Sequence, residues 1–210
     1  MSQYEIIICR KCLANIERIS IIENIGTNRF KDIHCLAFDK IFYYSIYSNL
    51  MKDLIHLFKY SKRKELSKPL AKLLLIQLND IILLGSEYDY ILYIPLHRTK
   101  LRERGFNQSY LIANELSLLS GIPILKDAIV RYCNSKSQTK LKIRDRYSNV
   151  ANVFSDGKEI EKVINKRILL IDDVVTTGST LNEASLVLKK YNPSNITCLT
   201  LASAIKRKRE

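Results

Sequence analysis

The chain has little of what membrane, fibrous and secreted proteins need. It contains no Trp and only six Gly and four Pro among 210 residues, which excludes collagen-like and Pro/Gly-rich disordered chains. Apolar runs such as Leu73–Ile76 fall far short of the roughly 20 residues that span a bilayer. The start, Met1–Glu5, lacks the basic residues of a secretory signal. These absences predict a globular protein with no membrane span and a cytoplasmic location.

Cysteine is sparse and odd in number, with five residues in the chain. Such usage does not indicate a disulfide framework and favours reduced thiols or a metal site. Cys133 and Cys198 lie in strand-like surroundings, which predicts core thiols. Because a chain of this length buries roughly 70% of its unfolded surface, we expect one sizeable core with at most a small appendage.

Acidic residues are outnumbered, 21 to 34, which gives a net charge of +13. The excess is gathered in four stretches, 52–72, 98–104, 136–146 and 206–210, which carry +5, +3, +4 and +3 and leave about −2 for the remainder. Patches of this kind attract phosphates. A nucleotide, a phosphorylated sugar and a nucleic acid are therefore all candidate partners.

Hydrophobic patterning divides the chain into two parts. Residues 1–45 show weak periodicity and contain three of the cysteines, which predicts a small N-terminal module. Within 46–210, apolar spacing predicts a helix from Asn49 and a second from about Glu65 to Leu84. Short apolar runs then alternate with helical stripes. This alternation predicts an α/β fold with a parallel sheet covered by helices on both faces.

The strongest motif runs from Ile168 to Thr180, where an apolar strand delivers Asp172 and Asp173 to its carboxyl end, the edge at which open α/β sheets bind ligands. Gly178 permits close backbone approach, and a following helix start offers N–H groups to an anion. Hydroxyls come from Thr176, Thr177, Ser179 and Thr180. Carboxylates beside an anion site suit a sugar phosphate, because they can accept hydrogen bonds from the sugar hydroxyls directly or through a magnesium shell. The simpler alternative is a strand end with a capping Asp and a polar turn.

This motif resembles the phosphoribosyl pyrophosphate (PRPP) motif of type I phosphoribosyltransferases. The segments Ile94–Arg98 and Leu101–Gln108 are similar to the block that follows the first core strand in the ComF family, also called the competence protein F or GntX-like family. By position this block corresponds to the pyrophosphate loop. The resemblance implies that Arg98, Arg102, Arg104 and Gly105 contact the diphosphate, and arginine pairs well with phosphate oxygens. Taken alone, the same run would be a solvated basic loop.

The resemblance extends from about residue 34 to residue 204 and includes Leu54–Tyr60. A long polar stretch also fits the family, through Gln138, Leu141, Arg146, Asn149 and Phe154. In phosphoribosyltransferases such a loop closes over PRPP and excludes water. The resemblance then implies that Arg146, with Lys142 and Arg144, neutralises the departing pyrophosphate. A mobile basic loop without a catalytic residue is the alternative.

The resemblance implies binding of PRPP with Mg²⁺, with Asp172, Asp173 and Arg146 as catalytic residues of a glycosyltransferase if an acceptor nucleophile binds. The sequence reveals no acceptor pocket. Family members are associated with DNA uptake in natural transformation. A second hypothesis therefore keeps the fold without the chemistry: a PRPP-sensing or single-stranded-DNA-binding component that works with a competence helicase.

The N-terminus departs from the family pattern. Family members commonly begin with two Cys-x-x-Cys pairs that bind zinc, whereas this chain has Cys9 and Cys12 but only one later thiol, Cys35. Asp32 or His34 would have to complete the set. The resemblance thus implies a degenerate zinc-finger-like module with Zn²⁺, and the alternative is a remnant held by packing alone.

Overall fold

A four-stranded parallel sheet forms the centre of the molecule, in the order β1-β6-β5-β2. The structure is a computed structural model and describes residues 8, 15–19, 36–132 and 153–204. The parallel strands are β1 (Lys40–Ile46), β2 (Tyr90–Tyr93), β5 (Arg167–Val175) and β6 (Asn195–Ser203), and β3 (Ile129–Arg131) pairs antiparallel with β4 (Phe154–Asp156). The helices are α1 (Asn49–Tyr60), α2 (Ser67–Leu83), α3 (Arg98–Arg104), α4 (Gln108–Ser120) and α5 (Ser179–Lys189).

Helices cover the two faces of the sheet. Successive residues of β5 point to opposite faces, so that Leu169 joins one apolar cluster and Leu170 the other. The first cluster packs α1, α2 and α4 on the sheet, and the second packs α5 and the β3–β4 hairpin. Each large apolar side chain buried here contributes about 1.5–3 kcal/mol. The predicted parallel sheet with helices on both faces is confirmed.

The described N-terminal residues pack against this unit. The Ile19 N–H donates to the Tyr44 carbonyl at 2.8 Å, and Arg18 donates to Gln77 Oε1 at 3.3 Å and pairs with Asp80 of α2. Strand β1 pairs with β6 from Lys40 onward. The predicted boundary after residue 45 therefore falls inside a strand of the central sheet.

Two further expectations concern the core cysteines and membrane-spanning helices. Cys198 is a fully buried thiol in β6, as predicted, whereas Cys133 lies outside the described residues. Within the part of the chain that the structure describes, no helix combines the length and apolarity needed to cross a membrane.

Candidate functional site

The acidic pair lies near the carboxyl end of β5, and each carboxylate has a different partner. Asp172 Oδ1 accepts from Ser109 Oγ at 2.8 Å and from the Asp173 N–H at 2.9 Å. Asp173 Oδ2 lies 2.7 Å from Lys59 Nζ, in an ion pair whose two side chains are 11% and 19% exposed. Burial, with the neighbouring Asp173 charge as the next cause, raises the pKa of Asp172 to about 7.

Strand β2 and a helix cap bring Ser109 to this pair. Tyr93 of β2 lies opposite Ile171 of β5, so the segment after β2 emerges beside the acidic pair. Asn107 donates to the Ile94 carbonyl at 3.1 Å and accepts the Tyr110 N–H at 3.3 Å, which caps α4 at its start. The first turn of α4 is thereby fixed at the carboxyl end of the sheet, beside Asp172.

Packing of α1 brings in Lys59. Phe58 is fully buried, and its ring centroid lies 5.5 Å from that of Phe106, the residue just before the α4 cap. Because Phe58 anchors the last turn of α1, the next residue, Lys59, reaches Asp173. The carboxyl edge of the sheet is therefore enclosed by the end of α1 and the start of α4.

The predicted turn follows the acidic pair directly. Gly178 has φ 80° and precedes the first residue of α5, Ser179, a left-handed conformation that favours glycine. Thr177 Oγ1 lies 2.9 Å from Ser179 Oγ, and both side chains are exposed. Thr176 is also exposed, and Thr180 is half-buried in the first turn of α5. The hydroxyls and the helix start thus form one polar turn, as the motif predicts.

The basic segment after β2 forms the short helix α3. His97 Nδ1 accepts the Thr99 N–H at 3.3 Å at its start, and Gly105 ends it with φ 80°. Arg104 donates to Gln108 Oε1 at 3.1 Å, and its guanidinium lies 5.5 Å from the Tyr60 ring centroid. Arg98, Arg102 and Gly105 are exposed.

A cavity of about 430 Å³ lies between this segment and the end of α1. Its lining residues are Lys59, Tyr60, Lys62, Lys100, Glu103 and Arg104. Among the residues predicted to contact a diphosphate, Arg104 lines this cavity, while Arg98, Arg102 and Gly105 belong to the same segment without lining it. Lys59 both lines the cavity and pairs with Asp173, so this one side chain connects the cavity lining to the acidic pair.

Sequence reasoning missed Lys59 and Ser109 as members of the site. Lys59 stands inside the Leu54–Tyr60 segment of the family resemblance, which was a usable signal. Ser109 carried none, because 63 residues separate it from Asp172.

Several predicted residues lie outside the described part of the chain. Arg146, predicted to act on pyrophosphate, is one of them, and the others are the predicted zinc ligands Cys9, Cys12, Asp32, His34 and Cys35. The described residues themselves contain no group of three or more His, Cys, Asp or Glu side chains suited to a metal ion. Phe154 of the loop pattern is fully buried in β4.

Comparisons with known proteins show which proteins this chain is similar to. The family model of the phosphoribosyl transferase domain matches residues 104–210. Competence protein F of Haemophilus influenzae is 29% identical over 207 residues, which cover 94% of this chain and 90% of that protein. The DNA utilization protein YhgH of Shigella flexneri is 31% identical over 152 residues, 71% of this chain and 66% of that protein. A solved glutamine PRPP amidotransferase from B. subtilis aligns with TM-score 0.43 and 17% identity over 64% of this chain and 25% of that chain.

Proposed function

The chain belongs to the competence protein F (ComF) family of the phosphoribosyltransferase superfamily, and on that premise we propose that it binds PRPP with Mg²⁺ and takes part in DNA uptake. The observation that carries the proposal is the juxtaposition at one sheet edge. Asp172 and Asp173 lie near the carboxyl end of β5, the Gly178 turn follows β5, and α3 beside the cavity follows the adjacent strand β2.

The ribose phosphate half of PRPP fits β5 and the turn after it. Asp172 and Asp173 would accept hydrogen bonds from vicinal ribose hydroxyls, since ionised carboxylates are pure acceptors. The turn from Thr176 to Thr180 would hold the 5′-phosphate through hydroxyls and the first N–H groups of α5. Gly178 supports this role. It adopts a left-handed φ just before α5, and because glycine has no Cβ, a phosphate could approach the backbone closely there.

The diphosphate half fits the basic segment. Arg104 would contact it from inside the cavity, with Arg98, Arg102 and Gly105 at the surface of the same segment. Mg²⁺ prefers carboxylate, phosphate and water oxygens. The donor set of Asp172 and Asp173 therefore suits a Mg²⁺ ion that arrives with PRPP, and the ion would neutralise part of the diphosphate charge.

Transfer chemistry forms a further part of the proposal. An acceptor nucleophile would bond to the anomeric carbon while the bond from that carbon to pyrophosphate breaks. We assign Arg146 to the departing pyrophosphate on the family resemblance, and that residue lies outside the described part of the chain. Without an acceptor, the same site would sense PRPP.

Calorimetric titration of magnesium-PRPP tests the binding site. The wild-type protein should bind, and Asp172→Asn/Asp173→Asn should lose binding while circular dichroism shows an unchanged fold. Asp53→Asn is the matched control, because Asp53 is an exposed carboxylate of α1 that does not line the cavity. Absence of binding to folded wild-type protein would refute the proposal.

A second candidate function is binding of single-stranded DNA. The observation that favours it is the convergence of two basic stretches, 52–72 and 98–104, on one cavity. The names of the relatives, a competence protein and a DNA utilization protein, agree with this role and with the DNA uptake proposed above.

A further inference from the structure

Lys59 stands between two parts of the proposed site. Its Nζ lies 2.7 Å from Asp173 Oδ2, and the same side chain lines the cavity beside α3. Only 19% of the Lys59 side chain is exposed. A lysine with so little of its side chain exposed is stabilised by a charged or hydrogen-bonding partner, and here that partner is the Asp173 carboxylate.

The cavity has the size and charge of an oxyanion site. Its volume of about 430 Å³ falls within the range of roughly 300–1,000 Å³ typical of small-molecule sites. Four of its lining side chains are cationic and one, Glu103, is acidic. The Arg104 guanidinium is held by Gln108 and lies over the Tyr60 ring, so it is already oriented before any ligand binds.

The backbone at Lys62 is left-handed where the chain leaves α1. Lys62 has φ 53°, a left-handed conformation that costs about 1–2 kcal/mol for a residue with a Cβ. The other two described non-glycine residues with positive φ are Asn165 and Asn192, and asparagine tolerates this region better. Lys62 is the residue after the C-cap of α1, Ser61, where helices commonly end in this conformation, and its side chain lines the cavity.

We propose that Lys59 exchanges partners when ligand binds. In the free protein its ammonium neutralises Asp173; in the complex it donates to a diphosphate in the cavity and leaves Asp173 to accept from ribose hydroxyls or magnesium-bound water. This inference rests on the proposed PRPP site and makes Lys59 a ligand-binding residue that couples the two halves of that site.

Coupling follows because both ligand halves act on the same ion pair. A diphosphate in the cavity draws Lys59 away from Asp173. A ribose then binds to Asp173 without having to displace Lys59. By linkage, bound ribose must raise the affinity for the diphosphate by the same factor. A merely structural Lys59–Asp173 pair would produce no such coupling.

Two fragments of PRPP, ribose 5-phosphate and inorganic pyrophosphate, test the exchange in a fixed excess of Mg²⁺. For the wild-type protein, saturating pyrophosphate should tighten the Kd of ribose 5-phosphate by about 5-fold to 10-fold, within the usual range of coupling between sites. In Lys59→Gln the coupling should vanish, and ribose 5-phosphate alone should bind at least as tightly as to wild type. Lys72→Gln, which removes an exposed charge of α2 outside the cavity, should behave as wild type.

The Lys100→Gln variant distinguishes the loss of a positive charge in the cavity from the loss of the partner exchange by Lys59. This variant should weaken pyrophosphate binding yet retain the coupling once pyrophosphate is saturating. A measurement on wild-type protein avoids any folding defect of the variants: pyrophosphate alone should shift the side-chain carboxyl ¹³C resonance of Asp173 as Lys59 leaves.

The outcomes distinguish this inference from the proposed function. Full coupling in folded Lys59→Gln, no coupling in wild-type protein that binds both probes, or an unchanged Asp173 resonance at saturating pyrophosphate would overturn the exchange and leave the PRPP site intact. Failure of folded wild-type protein to bind either probe would overturn both.

Discussion

Asp172 and Asp173 are adjacent on β5 yet differ in what stabilises their charge. Asp173 forms an ion pair with the Lys59 ammonium. Asp172 faces the Ser109 hydroxyl, the Asp173 N–H and a neighbouring carboxylate. Burial, and then the neighbouring Asp173 charge, disfavour the ionised form of Asp172 and raise its pKa.

The raised pKa of Asp172 predicts how stability depends on pH. Its pKa is about 7 when folded, against about 3.9 in an unfolded chain. The folded state therefore binds more protons than the unfolded state between these values, so the contribution of neutral Asp172 is complete below about pH 4 and lost as pH rises through about 7. Asp172→Asn mimics the neutral acid and should remove this loss.

Urea unfolding of both proteins at about pH 5 and about pH 8 checks this expectation. Wild-type protein should lose free energy of unfolding relative to Asp172→Asn between the two conditions. Equal changes in the two proteins would show that Asp172 titrates as an ordinary carboxyl.

The sequence was sufficient to predict Asp172, Asp173 and the turn after them, because these residues are contiguous and follow an apolar strand. It was insufficient for Ser109 and Lys59. Their side chains reach the pair only because β2 lies beside β5 and because Phe58 packs against Phe106. Such proximity depends on strand order and helix packing, which local patterns do not contain.

At the scale of elements, β5, the turn and α5 act as one unit for the proposed 5′-phosphate contact. Gly178 and Gly121 have the same left-handed φ, 80° and 76°, but only Gly178 lies in the site. Alanine at either position should lower the free energy of unfolding by about 1–2 kcal/mol. A Cβ at Gly121 meets nothing within 4 Å, so Gly121→Ala reports the backbone strain alone.

Gly178→Ala should in addition weaken ribose 5-phosphate binding by about tenfold, equivalent to about 1.4 kcal/mol, because the strained residue lies within the turn that would contact the phosphate. Denaturant unfolding and calorimetry on the two variants separate the effects. Equal affinities of Gly178→Ala and Gly121→Ala would exclude the turn from phosphate binding.

Most elements around the site were predictable, but two strands were not, and the short helix α3 was predicted as a basic loop. Helix α1 begins at the predicted Asn49, and α2 spans nearly the predicted range. Strand β1 was missed because five successive residues in it are buried, which leaves no alternation of polar and apolar residues. Strand β4 has three residues, too few to show a period.

At the scale of the whole molecule, the fold concentrates the positive charge. The stretches 52–72 and 98–104 are far apart in sequence, but they supply Lys59, Lys62, Lys100 and Arg104 to one cavity. The stretches 136–146 and 206–210 lie outside the described residues. Two of the four basic stretches thus form one surface, which the phosphates of single-stranded DNA and a diphosphate would both contact.

This shared surface predicts competition between single-stranded DNA and pyrophosphate. If DNA phosphates occupy the cavity, saturating pyrophosphate should weaken DNA binding and make the salt dependence shallower. The slope of log K against log salt should change by about 0.7 for each DNA phosphate that the protein no longer neutralises. Lys62→Gln/Lys100→Gln should do the same without pyrophosphate, while Lys126→Gln/Lys158→Gln removes two exposed charges outside the cavity and serves as control.

Fluorescence anisotropy of a labelled oligonucleotide over a series of salt concentrations measures each slope. Negligible binding at physiological ionic strength would contradict a nucleic-acid role altogether, because a protein that contacts several phosphates retains measurable affinity there. Salt-dependent binding that neither pyrophosphate nor the cavity variants change would instead place the DNA on a different surface. In that case the cavity charge would serve the small ligand alone, and DNA and PRPP would bind to separate parts of the molecule.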